Sequence, residues 1–275
     1  MEDYRDINRV HWDERAPAHA GSPDYAIERL VAEPDRISDV VAFDRPALGD
    51  VGGLRAVHLQ CHIGTDTVSL ARLGAQVSGL DFSPASLAEA RALAGRLGLD
   101  VDFHEADVYD AVEILGAHAF DLVYTGIGAI GWLPSIDRWA QTVAGLLRLG
   151  GRLFMREGHP SLFTIDDVRD DGLLVVRHPY FESEEPQVWD EPGTYVQTDV
   201  ELRHTLTHEW NHGIGEILTA LLDHGLRITS FVEHDSVPWE ALPGAMTVDD
   251  RGEWSLTEGR DRLPLSYTVQ AVRTG

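Results

Sequence analysis

Asp81 and Asp107 each close a short apolar run. Asp81 ends Val77-Ser78-Gly79-Leu80, and Asp107 follows Val101–His104 in Glu105-Ala106-Asp107-Val108. A carboxylate at the end of a parallel strand can accept from both hydroxyls of a ribose, and such bonds are charge-assisted. At the next strand end, an aspartate can accept from an adenine exocyclic amine, while the backbone N–H of Val108 meets a ring nitrogen. A third position precedes these two. The run Leu54–Leu59 is followed by Gln60-Cys61-His62-Ile63-Gly64-Thr65-Asp66, a turn where a cofactor would approach the backbone. Glycines usually permit that approach, because they lack Cβ and take positive φ. Only Gly64 remains here, so there is neither a G-x-G-x-x-G fingerprint nor a phosphate loop. Asp81 alone reads equally well as a helix cap. Three anchors at three successive strand ends indicate an adenosine-bearing cofactor.

The elements that position these residues alternate. Leu54–Leu59, Gln76–Leu80, Val101–His104, Phe120–Tyr124 and Arg152–Arg156 read as strands. Thr65–Leu73, Ser83–Leu97 and Ile136–Leu147 read as helices between them. Ser83 is a favourable N-cap, Pro84 suits the first turn, and Gly98 suits the stop. This alternation predicts right-handed βαβ units and a mostly parallel α/β sheet with helices on both faces. Upstream, residues 4–20 and 24–43 read as helices and Asp44–Gly53 as a loop. The chain divides into an N-terminal helical cap (1–53), a Rossmann-like core (54–157), an insertion or lid rich in Pro and acids (158–207), and a C-terminal part (208–275). In that last part Gly213–His224 reads as a helix, and Leu226–Glu233 and Pro264–Val272 as strands that would add an antiparallel edge.

Composition narrows the function classes. The formal net charge is -24, and all 22 basic residues are arginine. Without lysine there is no Schiff-base chemistry, and such acidity argues against a nucleic-acid partner. The single cysteine, Cys61, excludes an internal disulfide and a cysteine zinc site, and reads as a buried hydrophobe. No apolar run is long enough to span a membrane, and the polar, acidic N-terminus lacks a signal-peptide pattern. The expectation is a cytoplasmic protein, monomer or homodimer, acting on a small molecule.

The core resembles the class I S-adenosylmethionine (SAM)-dependent methyltransferases. The resemblance covers residues 54–157 and rests on the variant first motif His58-Leu59-Gln60-Cys61-His62-Ile63-Gly64-Thr65-Asp66-Thr67, which is similar to that of a bacterial subgroup of the family. It implies a seven-stranded sheet with an antiparallel C-terminal strand, SAM as methyl donor, and S-adenosylhomocysteine (SAH) as product. Against the family's acidic residue and three glycines stand His58, Gln60, His62 and Gly64. Asp81, followed by Phe82, matches the ribose carboxylate. Asp107 and Val108 match the adenine site, and Thr125-Gly126-Ile127-Gly128 the segment beside the methyl donor. The implied reaction is transfer to an O-, N- or C-nucleophile on a small molecule, in bacterial secondary metabolism. An NAD-type oxidoreductase and a non-catalytic SAM-binding protein are the other readings, the first weakened by the missing fingerprint.

A base is needed only if the acceptor must lose a proton, and histidine suits that role. His159, just past the fifth strand, and His212, opening the C-terminal helix, are the candidates; each is also readable as structural. Tyr4 and Trp12 could close over the cofactor, where a ring beside a sulfonium gains from cation–π attraction. Packing is the other reading of Trp12. Tyr180, Tyr195 and Trp210 could line an acceptor pocket or simply pack a lid. His208-Glu209-Trp210-Asn211-His212 spells H-E-x-x-H, but the glycines that follow start the helix near His212, so no metal site is expected.

Overall fold

The computed structural model describes residues 3–166, 168–169 and 171–275. Three helices come first: α1 (Tyr4–Gly21), α2 (Ile27–Ala32) and α3 (Asp39–Leu48). The core follows as β1 (Arg55–Leu59), α4 (Thr65–Arg72), β2 (Gln76–Asp81), α5 (Pro84–Leu97), β3 (Asp102–Glu105), α6 (Ala111–Leu115), β4 (Phe120–Thr125), α7 (Ile136–Leu146) and β5 (Leu147–Gly158). Then come β6 (Gln187–Asp190), β7 (Leu206–Glu209), α8 (Ile214–Asp223), β8 (Leu226–His234), β9 (Met246–Val248), β10 (Trp254–Leu256) and β11 (Ser266–Arg273).

The main sheet has seven strands in the order β3-β2-β1-β4-β5-β11-β8. Neighbours from β3 to β5 are parallel, and β11 is antiparallel to both β5 and β8. The antiparallel strand expected at an edge is therefore inserted one place in. Side chains alternate across the sheet, as strand geometry requires. Val57, Leu59, Val123, Leu153 and Met155 pack toward α7 and α8, whereas Ala56, Leu122, Tyr124 and Phe154 pack toward α3 and α4. Each face is thus buried under helices, which is why these strands read as continuous apolar runs.

Two expectations need correction. The segment Asp44–Gly53 is helical as far as Leu48, with Pro46 inside α3. Burial explains this: Val41, Asp44 and Leu48 fall on one helical face, and Asp44 accepts the hydroxyl of Tyr124 at 2.6 Å. The boundary drawn at 207/208 falls inside β7, which pairs with β6 as a two-stranded ribbon. H-E-x-x-H is thereby split between a strand and the turn into α8, so its histidines do not share a helix face.

α1 lies across the carboxyl ends of β3, β2 and β1 in turn. Arg5 approaches Asp107 at 3.8 Å, Asp13 accepts from Ser83 Oγ at 2.6 Å, and His19 Nδ1 lies 2.9 Å from His62 Nε2. The segment around β6 and β7 is strapped to the other side of α1. Asn8 exchanges two hydrogen bonds with the backbone of His208, and Glu14 accepts from the backbone of Arg203 and His204.

Candidate functional site

The strand ends, α1 and the 187–212 segment enclose a cavity of about 1530 Å³. Ligand pockets usually hold about 300–1,000 Å³, so this one has room for a cofactor and a second molecule.

Its floor is the turn after β1. Gln60, His62 and Gly64 have φ of 54°, 48° and 78°. The three positions where the related family carries glycine thus keep the left-handed conformation, although two bear side chains. Each such residue costs about 1–2 kcal/mol in an L-amino acid, so the local contacts must hold them. Gln60 Nε2 donates to the Ala129 carbonyl at 2.8 Å, and the His62 N–H donates to Asp81 Oδ2 at 2.8 Å. The His62 ring is fixed by His19 on one nitrogen and by Ser86 Oγ, at 3.1 Å, on the other. Gly64 cannot be replaced in this way, because a Cβ there would lie 2.7 Å from that of Ala90.

Asp81 is buried at the end of β2, where its other oxygen accepts from Ser83 N at 2.9 Å. Burial pushes its carboxyl up to about 6. Asp107 caps the turn after β3, accepting from Tyr109 N at 2.9 Å, and lines the cavity with Phe82 and Val108. Trp12 stands between the β1 turn and the loop after β4, its ring 5.0 Å from both His62 and Trp132. Tyr4 packs edge-on against Trp210 at 5.2 Å, and Tyr195 shares a 2.5 Å hydroxyl contact with Tyr25; all four line the cavity.

Other expected residues fall elsewhere. Thr125 is fully buried and does not line the cavity; Gly126 and the loop beyond it do. Tyr180 is also off the lining, its hydroxyl accepting from Ile214 N at the start of α8. His159 lies outside the lining too, donating from Nε2 to Glu233 at 3.0 Å and accepting from Ser161 N at Nδ1. His212 does line the cavity, but neither nitrogen has a free lone pair. Nδ1 pairs with Glu182 at 2.7 Å, and Nε2 donates to the carbonyls of Ile130 and Leu133. Its geometry is that of a pin between α8 and the loop after β4, not of a base.

Several site residues escaped the sequence reading. On α1, Asn8, His11 and Arg15 line the cavity beside the expected Tyr4 and Trp12, and the spacing of the five is a helical stripe that could have been seen. His11 Nδ1 is buried with no partner. Arg15 is buried against three carbonyls, of His11, His204 and Gly193. Burial drives the histidines down, His11 and His58 to about 3 and His19 to about 4, so all three are neutral at pH 7. Neutral rings do not repel a cation. Glu157, at the end of β5, accepts from the backbone of Gly128, Ala129, Ile130 and Gly158, and so fixes the loop that carries Trp132.

A parallel sheet extended beyond β5 by one inserted antiparallel strand, with carboxylates at the ends of β2 and β3, defines the class I SAM-dependent methyltransferase fold. Residues 57–153 match the family model of a methyltransferase domain. A ubiquinone biosynthesis O-methyltransferase of Xanthomonas euvesicatoria pv. vesicatoria is 34% identical over 107 residues, 38% of this chain and 44% of that protein. The chain therefore spans less than half the length of that relative. Among solved structures, a SAM-dependent methyltransferase from Mesorhizobium loti superposes with a TM-score of 0.58 at 24% identity, covering 86% of this chain and 98% of that one. A magnesium protoporphyrin IX methyltransferase from Synechocystis PCC 6803, crystallised with bound SAH, superposes with a TM-score of 0.57 at 18% identity, covering 99% and 100%. No helix among the described residues is long and apolar enough to cross a membrane.

Proposed function

We propose that the protein transfers a methyl group from SAM to an O-, N- or C-nucleophile on a small molecule. The observation that carries this reading is the triad of strand-end anchors beneath α1: the β1 turn held at positive φ, buried Asp81, and Asp107. The donor set fits the cofactor. Asp81 faces a ribose diol, Asp107 and the Val108 N–H face an adenine, and Gln60 Oε1 is a buried acceptor with no partner beside the methionine end. When bound, the cofactor supplies an electrophilic methyl on a sulfonium sulfur.

The chain's own residues do the rest. Trp12, Trp132 and the neutral histidines form a wall that tolerates positive charge. Arg15 stands behind that wall with its guanidinium held by three backbone carbonyls. Thr194 and Tyr195, tied to His19 and Tyr25, close the cofactor end to water. Positioning supplies much of the rate for an in-line displacement. His11, lowered by burial to about 3, adds an uncharged ring to this wall 5.8 Å by centroid from Trp132 and is too weak a base to take a proton near neutral pH. Phe163, Trp239 and Trp254 offer the acceptor apolar surface at the far end. A small product of bacterial secondary metabolism, made by a cytoplasmic monomer or homodimer, completes the reading, and the acidity of the chain suits a protein that avoids nucleic acid. The test is thermal unfolding with ligand. SAH should raise the midpoint and NAD should not; a shift by NAD alone would overturn the reading.

A further inference from the structure

We propose that Asp66 receives the α-ammonium group of the cofactor's methionine portion, in place of the strand-end carboxylate that this chain lacks. The proposal rests on the SAM reading above. His58 stands where the related family has its acidic residue. Its Nδ1 is taken by Thr67 Oγ1 at 2.9 Å, and burial keeps the ring neutral, so it cannot balance a cation.

Asp66 converges on the same spot from the first turn of α4. A Cβ placed on Gly126 would lie 3.3 Å from His58 Nε2 and 3.4 Å from Asp66 Oδ2. The carboxylate has therefore moved eight residues along the chain while staying within one side chain's reach of its usual place. Both residues and Gly126 line the cavity. Asp66 forms no salt bridge among the described residues, although burial without a cation is unfavourable for it. The Ser38 hydroxyl donates to it, and Asp39 adds further negative potential. Tyr25 and Tyr195 face it from the cap and the lid, Tyr124 from β4 and Asp44 from α3; none of these is a cation. An ammonium, with three donors and a unit charge, is the chemistry this carboxylate lacks. Gly126 explains itself on the same terms, since any side chain there would fill the space between the two groups.

Calorimetry with three probes separates the possibilities: SAH, its deaminated analogue, and 5′-methylthioadenosine, which has no amino-acid tail. Asp66→Asn should weaken SAH binding by about 10- to 100-fold. The other two affinities should stay within about twofold, which also reports an intact fold. Gly126→Ala should behave in the same way. Asp66 and Asp81 are both raised by burial to about 6, so the fall in SAH affinity as pH drops below about 6 should be shallower in Asp66→Asn, where only Asp81 still titrates, than in the wild type. An unchanged SAH affinity in Asp66→Asn, or an equal loss for all three probes, would overturn the role of Asp66. If neither SAH nor methylthioadenosine binds the wild-type protein, the cofactor reading falls first and this inference falls with it.

Discussion

The two ends of the cavity are built on different principles. At the cofactor end, the functional groups sit at or just past the ends of β1, β2 and β3 or on the first turn of α4, and a single helix, α1, covers three strand ends. At the acceptor end, the walls come from segments far apart in sequence: the stretch after β5, the β6–β7 ribbon, and the region around β9 and β10. Apolar residues there form their own cluster, including Leu162, Val237, Leu242 and Leu265. The first end is a property of the sheet. The second is assembled on top of it, and what holds it is a buried polar join. Arg156, on β5 and fully buried, makes two hydrogen bonds to Glu253, which is 4% exposed, and stacks over Phe43 at 3.5 Å.

The largest test of this contrast is to break that join. Removing one partner of a buried pair leaves the other charge uncompensated, at a cost of about 3–5 kcal/mol. Arg156→Ala should lower the unfolding free energy in urea by about that much. SAH affinity, measured where the variant is still folded, should change little, because neither residue touches the cofactor end. A proportional loss of SAH binding would show that the two ends are not separable.

The reverse case is Asp81→Ala. It should weaken SAH binding by about 1–3 kcal/mol, the scale for hydrogen bonds to a charged group. Its effect on global stability should be smaller than that of Arg156→Ala, because it leaves two neutral backbone N–H groups, of His62 and Ser83, without an acceptor rather than a buried charge without a partner. Unchanged affinity in calorimetry would remove Asp81 from the ribose site.

The same contrast decides what the sequence could reveal. Asp81, Asp107 and Gly64 were legible because strand periodicity fixes where a strand ends, and ligands of such sheets bind there. The variant turn was legible as a turn, but its physical meaning was not. Only the dihedral angles show that Gln60 and His62 keep a glycine-like backbone. His159 and His212 misled because position after a strand or before a helix says nothing of a ring's partners. One is held by Glu233, and the other by Glu182 and two carbonyls. His11 and Arg15 were missed for a different reason. Residues 4–20 read as helical, but what the helix faces depends on tertiary contacts with residues 193–208, nearly 190 positions away.

His58 offers the finest test, because it sits in the floor of the cofactor end yet titrates through burial. It is 3% exposed, and its folded pKa of about 3 lies below the ordinary 6.5. The unfolded chain therefore takes up the proton first, and stability at this residue falls as pH falls through 6.5. The loss continues until the folded form also protonates, near pH 3. At full slope it is about 1.4 kcal/mol per pH unit. His58→Asn removes the titration but can keep a hydrogen bond to Thr67. Asp66, raised to about 6 by burial, opposes the histidine over part of this range. It titrates in both proteins, however, and drops out of their difference. The stability advantage of the wild type over His58→Asn should therefore shrink by about 1.3 kcal/mol between pH 7 and pH 5.5, read from urea unfolding at each pH. A constant difference would mean that His58 is hydrated and titrates normally. In that case the floor of the cofactor end would be wetter than its packing implies, and a neutral histidine beneath the methionine tail would no longer explain why the carboxylate had to move to Asp66.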